Sequence, residues 1–217
     1  MKKNYRWLSH ILNFIAVILG VYLAFYINQE AQSSREKKEG ILLMNSMIND
    51  LESDIKVYVD YQIPANIKYK EEVDSLLMLL VTNNFEAINE QLPKILQVEN
   101  YVPTTSTYTS MKSSGKVKLL KGLKLQKDLS DYYDGLVEEC IHKNELQVTF
   151  FLDELMHWLI LNADFLEMAL PKDADFRVLQ NKLIIYSSFV DQKIKNYEMI
   201  VEDSELLKQQ LDSLVNR

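Results

Sequence analysis

Two Glu-x-x-His pairs, Glu139 with His142 and Glu154 with His157, are the residues of this 217-residue chain best typed for metal chemistry. Pairs of this kind hold two iron ions in some helical bundles. Their spacing argues against a shared centre. The pairs start 15 residues apart with no Gly or Pro between them, so on one continuous helix they stand about 22 Å apart. Both histidines are expected at solvated or core-edge positions, with no metal and no other cofactor. Cys140 is the only cysteine, which excludes a disulfide within the chain and a thiolate cluster. Lying four residues after Leu136 on an apolar stripe, it is expected to be a small buried hydrophobe. Residues 113–116 (SSGK) combine a Ser-x-x-Lys spacing with a Gly-Lys pair. A phosphate loop needs Gly where Ser110 stands and Ser or Thr where Val117 stands, and the companion motifs of the Ser-x-x-Lys enzymes are missing. The expectation is a protein that is not an enzyme.

Residues 104–114 (TTSTYTSMKSS) are dense in hydroxyls. Such side chains cap helices and close turns by bonding nearby amides, which predicts a short helix from about Ser106 ended by Gly115. The sharper alternative is a partner or ligand loop made by Thr104, Thr105, Thr107, Tyr108, Ser113, Ser114 and Gly115.

The elements that must position these groups begin with a membrane span. Residues 7–29 contain no Asp, Glu, Lys or Arg, and as a helix they would rise about 34 Å, enough to cross a ~30 Å hydrocarbon core. A cleaved signal peptide is disfavoured, because the apolar run exceeds the usual length and residues 25–34 (FYINQEAQSS) offer no small-x-small site. Lys2, Lys3 and Arg6 before the span balance Arg35, Lys37 and Lys38 after it. A long downstream domain translocates largely regardless of charge, so the amino terminus is placed in the cytoplasm and the carboxy-terminal domain outside it. On the span, Ala16, Gly20 and Ala24 recur every four residues with Asn13 on the same stripe. Small residues so spaced let helix backbones approach closely, and an Asn in hydrocarbon seeks a partner. Another membrane protein or a second copy of the chain is the expected partner, alongside the lipid bilayer.

The chain's net charge is −7, and its first 28 residues carry three basic and no acidic side chains, leaving −10 for the remainder. Nucleic acid and anionic lipid both require a Lys/Arg footprint; neither is expected as a partner, and no polybasic patch is anticipated. Five Gly and four Pro, with apolar residues at spacings of three and four, predict an all-α fold. Residues 1–29 form the tail and anchor, and residues 30–217 an acidic helical-bundle domain. Ile41, Met44, Ile48, Leu51, Ile55 and Tyr58 form a narrow seam on a helix continuing from the span, which Pro64 is expected to end or break. A second helix is predicted over 66–82, a shorter one interrupted at Pro93, a long one from about Leu123 to Leu170, and a last one capped by Asp173 or Asp175. Long antiparallel helices so connected make a bundle.

Two blocks carry a family resemblance: FIAVILGVYLAFYINQEAQSSREKKEGILLMNSMINDLESDI, and YTSMKSSGKVKLLKGLKLQKDLSDYYD with Tyr108, Met111, Ser113, Ser114, Gly115, Tyr132 and Tyr133. On these blocks the chain resembles uncharacterised single-pass membrane proteins frequent in Bacteroidetes, known as a domain of unknown function. Gln29 to Gln32 stand where that family often has a Trp. The resemblance implies the anchored architecture and a Gram-negative inner-membrane location, and carries no reaction. The function expected is a membrane-anchored helical interaction or scaffold protein, binding a membrane protein or itself through its span. The alternative is an extracytoplasmic ligand-sensing bundle acting through a separate partner.

Overall fold

The apolar repeats condense into helices along almost the whole chain. The computed structural model describes residues 4–120, 122–173 and 175–216. Helix α1 (Asn4–Val57) passes through one π-helical stretch (Tyr58–Gln62) directly into α2 (Ile63–Thr82). Pro64 therefore does not break the rod. The Ile63 amide bonds the Tyr58 carbonyl five residues back, and Pro64 falls in the first turn of α2, where its missing N–H is tolerated. A left-handed Asn83 ends α2. Helix α3 (Phe85–Gln91) runs into a 3₁₀ turn (Leu92–Ile95) carrying Pro93. Residues 96–105 are irregular, followed by α4 (Ser106–Ser113) and a second 3₁₀ turn (Lys116–Leu119).

The third leg joins α5 (Leu123–Ser130), α6 (Glu138–Phe150) and α7 (His157–Asn162) through π stretches at Asp131–Val137 and Phe151–Met156. It stops at Asn162 and does not continue to Leu170. Ala163 turns extended, the Asp164 carboxylate accepts the amides of Leu166 and Glu167, and Asp164 pairs with Ala169 as an isolated antiparallel bridge. Local side-chain bonds of this kind compete with helix and win at a turn. Helix α8 (Phe176–Val215) completes the chain. Of the two candidate caps it is Asp175 that accepts the Arg177 amide.

Helix α8 lies antiparallel to both long legs. Tyr186 meets Tyr69, Tyr197 packs on Tyr58, and Lys208 pairs with Glu52 along the first leg. Glu154 meets Lys182, Gln147 reaches Tyr186, and Tyr132 bonds Ser204 along the third. Residues 83–120 return between these legs, so the bundle has three long rods and one irregular fourth leg. Its core falls into two clusters. The one nearer the amino-terminal apolar stretch holds Met44, Met47, Leu51, Tyr58, Met111, Leu129, Val137, Tyr197 and Leu207. The far one holds Leu76, Leu80, Ile88, Leu155, Leu159, Leu183 and Val190. Each fully buried aliphatic side chain contributes about 1.5–3 kcal/mol; of the seam from Ile41 to Tyr58, Met44, Ile48, Leu51 and Tyr58 are buried.

Candidate functional site

The Asn13, Ala16, Gly20 and Ala24 stripe stands on a part of α1 that no other element touches. Residues 12–38 are exposed throughout, and a Cβ added to Gly20 would meet nothing within 4 Å. Among the described residues one helix, α1 with α2, is long and apolar enough to cross a membrane, and its most apolar stretch is not buried at all. Past residue 39 the same helix sinks into the bundle. Gly40 is buried there against the second 3₁₀ turn, 3.2 Å from a would-be Cβ to the Leu119 carbonyl oxygen, with Lys116 bonded to Glu39 beside it at 2.7 Å.

The hydroxyl-rich segment is brought against α1 and the π stretch Asp131–Val137. The Thr104 amide and hydroxyl donate to Asp54 at 2.7 and 3.0 Å. Thr107 donates to Asp50 at 2.5 Å, and Tyr108 to Asp134 at 2.8 Å while stacking on Tyr133. Ser113 and Ser114 bond back to the Ser110 carbonyl, Gly115 adopts the left-handed conformation with φ +68°, and Thr105 precedes the first residue of α4. Asp134 is held below the usual carboxylate range by Lys112 first, and by Tyr108 and Ser130 as well.

Sequence reasoning missed the polar layer between the two core clusters. Residues 96–105 cross the bundle without helical bonds of their own, and buried backbone groups must be paired. The rods supply the partners. The Tyr197 phenol accepts the Tyr101 amide at 3.0 Å, while Asn144 donates to the Tyr101 carbonyl at 3.2 Å. Tyr101 in turn donates its phenol to Asp54 at 2.7 Å, and Tyr69 donates to the Ile95 carbonyl at 2.9 Å. Lys193, only 2% exposed, donates to the Glu99 carbonyl at 2.9 Å and to Asn100 Oδ1 at 3.0 Å. Burial lowers its pKa to about 8. Burial likewise pushes Cys140 up to about 11, and Tyr197 and Tyr101 up to about 12, so these groups keep their protons at neutral pH and act as hydrogen-bond partners. The signal was available: Asp54, Asn144, Gln147 and Lys193 each occupy a core register position of an otherwise apolar stripe.

Other features singled out by residue type are dispersed. His142 and His157 are exposed, and their glutamates bond lysines: Glu139 pairs with Lys143, Glu154 with Lys182. Among the described residues no three His, Cys, Asp or Glu side chains converge as metal ligands. A polar groove of about 230 Å³ opens beside the polar layer, lined by Tyr61, Asn66, Lys68, Tyr69, Glu72 and Glu99 among others.

A family of unknown function, DUF6090, matches residues 13–157. The chain belongs to that family. The match takes in the apolar stretch of α1 from Asn13, the irregular leg and the third leg through His157, and leaves α8 outside. No curated protein and no solved structure matches the chain.

Proposed function

We propose that this member of the family is a membrane-anchored helical interaction or scaffold protein, whose residues 7–29 cross the membrane once and pack through Asn13, Ala16, Gly20 and Ala24 against another membrane protein or a second copy of the chain. The observation that carries this reading is the contrast within α1: an apolar stretch with no protein contact, continuous with a stretch fully used by the bundle. Apolar surface of that length needs a non-aqueous solvent or a partner. In this reading the anchor sits in the inner membrane with the bundle on the periplasmic side, the orientation that follows when a long downstream domain is translocated. Cysteine crosslinking at Gly20 or Ala24 in membranes, with Leu12 and Leu19 as controls, tests it. Preferential products at Gly20 and Ala24 support it, and equal yields at all four positions remove the stripe as the contact.

The second reading, an extracytoplasmic ligand-sensing bundle working through a separate partner, has the groove at Tyr61 and Glu99 in its favour. That groove, at about 230 Å³, is smaller than the ~300–1,000 Å³ common for small-molecule sites. A thermal-shift screen of the detergent-solubilised chain separates the two, since a ligand at a hundredfold its Kd adds about 2.7 kcal/mol.

A further inference from the structure

Between Lys112 and Lys127 the chain places six of its 24 basic residues and no acidic one. The acidic overall balance hides this local run of lysines. The fold carries it to one end of the bundle. The 3₁₀ turn Lys116–Leu119 packs on Gly40 and Glu39, where α1 enters the bundle from the exposed neck, and α5 starts beside it. Lys118 and Lys124 are exposed, and Leu123 between them is 84% exposed, following a Gly122 at φ +111°. On the neck, Lys37 lies beside Gly40 and Leu119, and Arg35, Lys37 and Lys38 are interspersed with Glu36 and Glu39.

We infer that this rim of the bundle binds the anionic headgroups of the bilayer crossed by residues 7–29, giving the protein a second, peripheral membrane contact. The inference rests on the reading of that stretch as a span. From Ile27 to Glu39 the helix rises about 18 Å, of which the headgroup layer takes roughly 5–8 Å. The gap left is about 10 Å, one Debye length at 0.1 M salt, and a helix tilt of about 20° closes it further on one side. Lys112, Lys116, Lys124 and Lys127 have carboxylate partners, Asp134, Glu39, Asp128 and Asp131. All four pairs are at least partly exposed, and exposed pairs are weak enough to be exchanged for lipid phosphate. The leucine matches the mixed chemistry of an interface, where basic and apolar side chains enter together. The occupant is lipid because the rim faces the side from which the span arrives.

The test uses the full chain in vesicles of phosphatidylcholine with and without phosphatidylglycerol. A fluorophore is placed at Leu123→Cys, Leu166→Cys or Leu19→Cys, and the buried Cys140 leaves the wild-type chain as the unlabelled control. Headgroup-attached nitroxide lipids should quench the label at 123 about threefold more when phosphatidylglycerol is present. That difference should vanish near 1 M salt, where screening shortens to about 3 Å, and in Lys118→Glu/Lys124→Glu. The label at 166, at the opposite end, should stay unquenched. Acyl-chain nitroxides should quench the label at 19 in both vesicle types. Quenching at 19 with equal quenching at 123 in both compositions overturns the rim contact alone. No quenching at 19 overturns the span, and the rim contact with it.

Discussion

The two stretches of α1 on either side of Gly40 have the same backbone and opposite surroundings. Residues 12–38 expose every side chain, the apolar ones included, whereas Met44, Met47, Ile48 and Leu51 lie in the core. Helix formation is thus not what separates them. What differs is the surface each presents: residues 14–27 are almost wholly apolar on every side, a composition that suits a bilayer, and the second stretch carries one apolar stripe, as a bundle helix must.

Matched substitutions on the two sides sharpen that contrast. Leu51→Ala should cost the bundle about 3–4 kcal/mol through lost transfer energy and a cavity, lowering Tm by about 6–16 °C. Leu19→Ala should leave the same transition unmoved in detergent. A comparable loss at Leu19 would mean that the span packs on the bundle. Asp54→Ala should cost about 2–3 kcal/mol, because the Thr104 amide and the Tyr101 phenol lose a shared buried acceptor. Hydrogen exchange at the amides of Tyr101, Val102 and Thr104 should accelerate well before the far cluster around Leu155 and Leu183 responds. The two glycines make the next pair. Gly40→Ala forces a Cβ against the Leu119 carbonyl, and the close contact should outweigh the gain in helix propensity, for a net loss of about 1 kcal/mol. Gly20→Ala should leave the bundle's Tm unchanged, and its effect should appear only in the crosslinking yield between spans.

The smallest effect concerns pH. Lys193 has a folded pKa near 8 and an unfolded one near 10.4, so between these values the unfolded chain binds more protons and stability rises with pH. Cys140, with its pKa raised to about 11, binds more protons folded than unfolded above pH 9 and opposes the rise. The net gain is confined to roughly pH 8–9 and should be at most about 1 kcal/mol. Denaturant titrations across that window should show it, and Lys193→Met should abolish it.

Much of the fold was legible because helical periodicity is a local property. Of the seam from Ile41 to Tyr58, Met44, Ile48, Leu51 and Tyr58 are buried and Ile41 and Ile55 half-buried; Tyr69, Val73, Leu76 and Leu80 are buried; and on the last helix Leu179, Leu183, Tyr186, Val190, Ile194 and Tyr197 are buried between half-buried Phe176 and Val201. The misreadings were local rules overridden by neighbours. Pro64 was absorbed by a π stretch, and the third leg stopped at Asn162 because Asp164 bonds two amides ahead of it. The polar layer could be suspected from Asp54 and Lys193 in apolar registers, but their partners lie 50 and 94 residues away, beyond any periodic pattern.

By itself, the sequence determined that the chain is helical, that one stretch suits a bilayer, and which faces are apolar, since these depend on side-chain type at fixed spacing. Only the tertiary structure decided that an irregular leg threads between three rods, that buried tyrosines, Asp54 and Lys193 satisfy its backbone, and that the turn carrying Lys116 packs beside the neck. Those outcomes depend on which distant groups meet, and unpaired backbone inside a core leaves few arrangements that satisfy every polar atom.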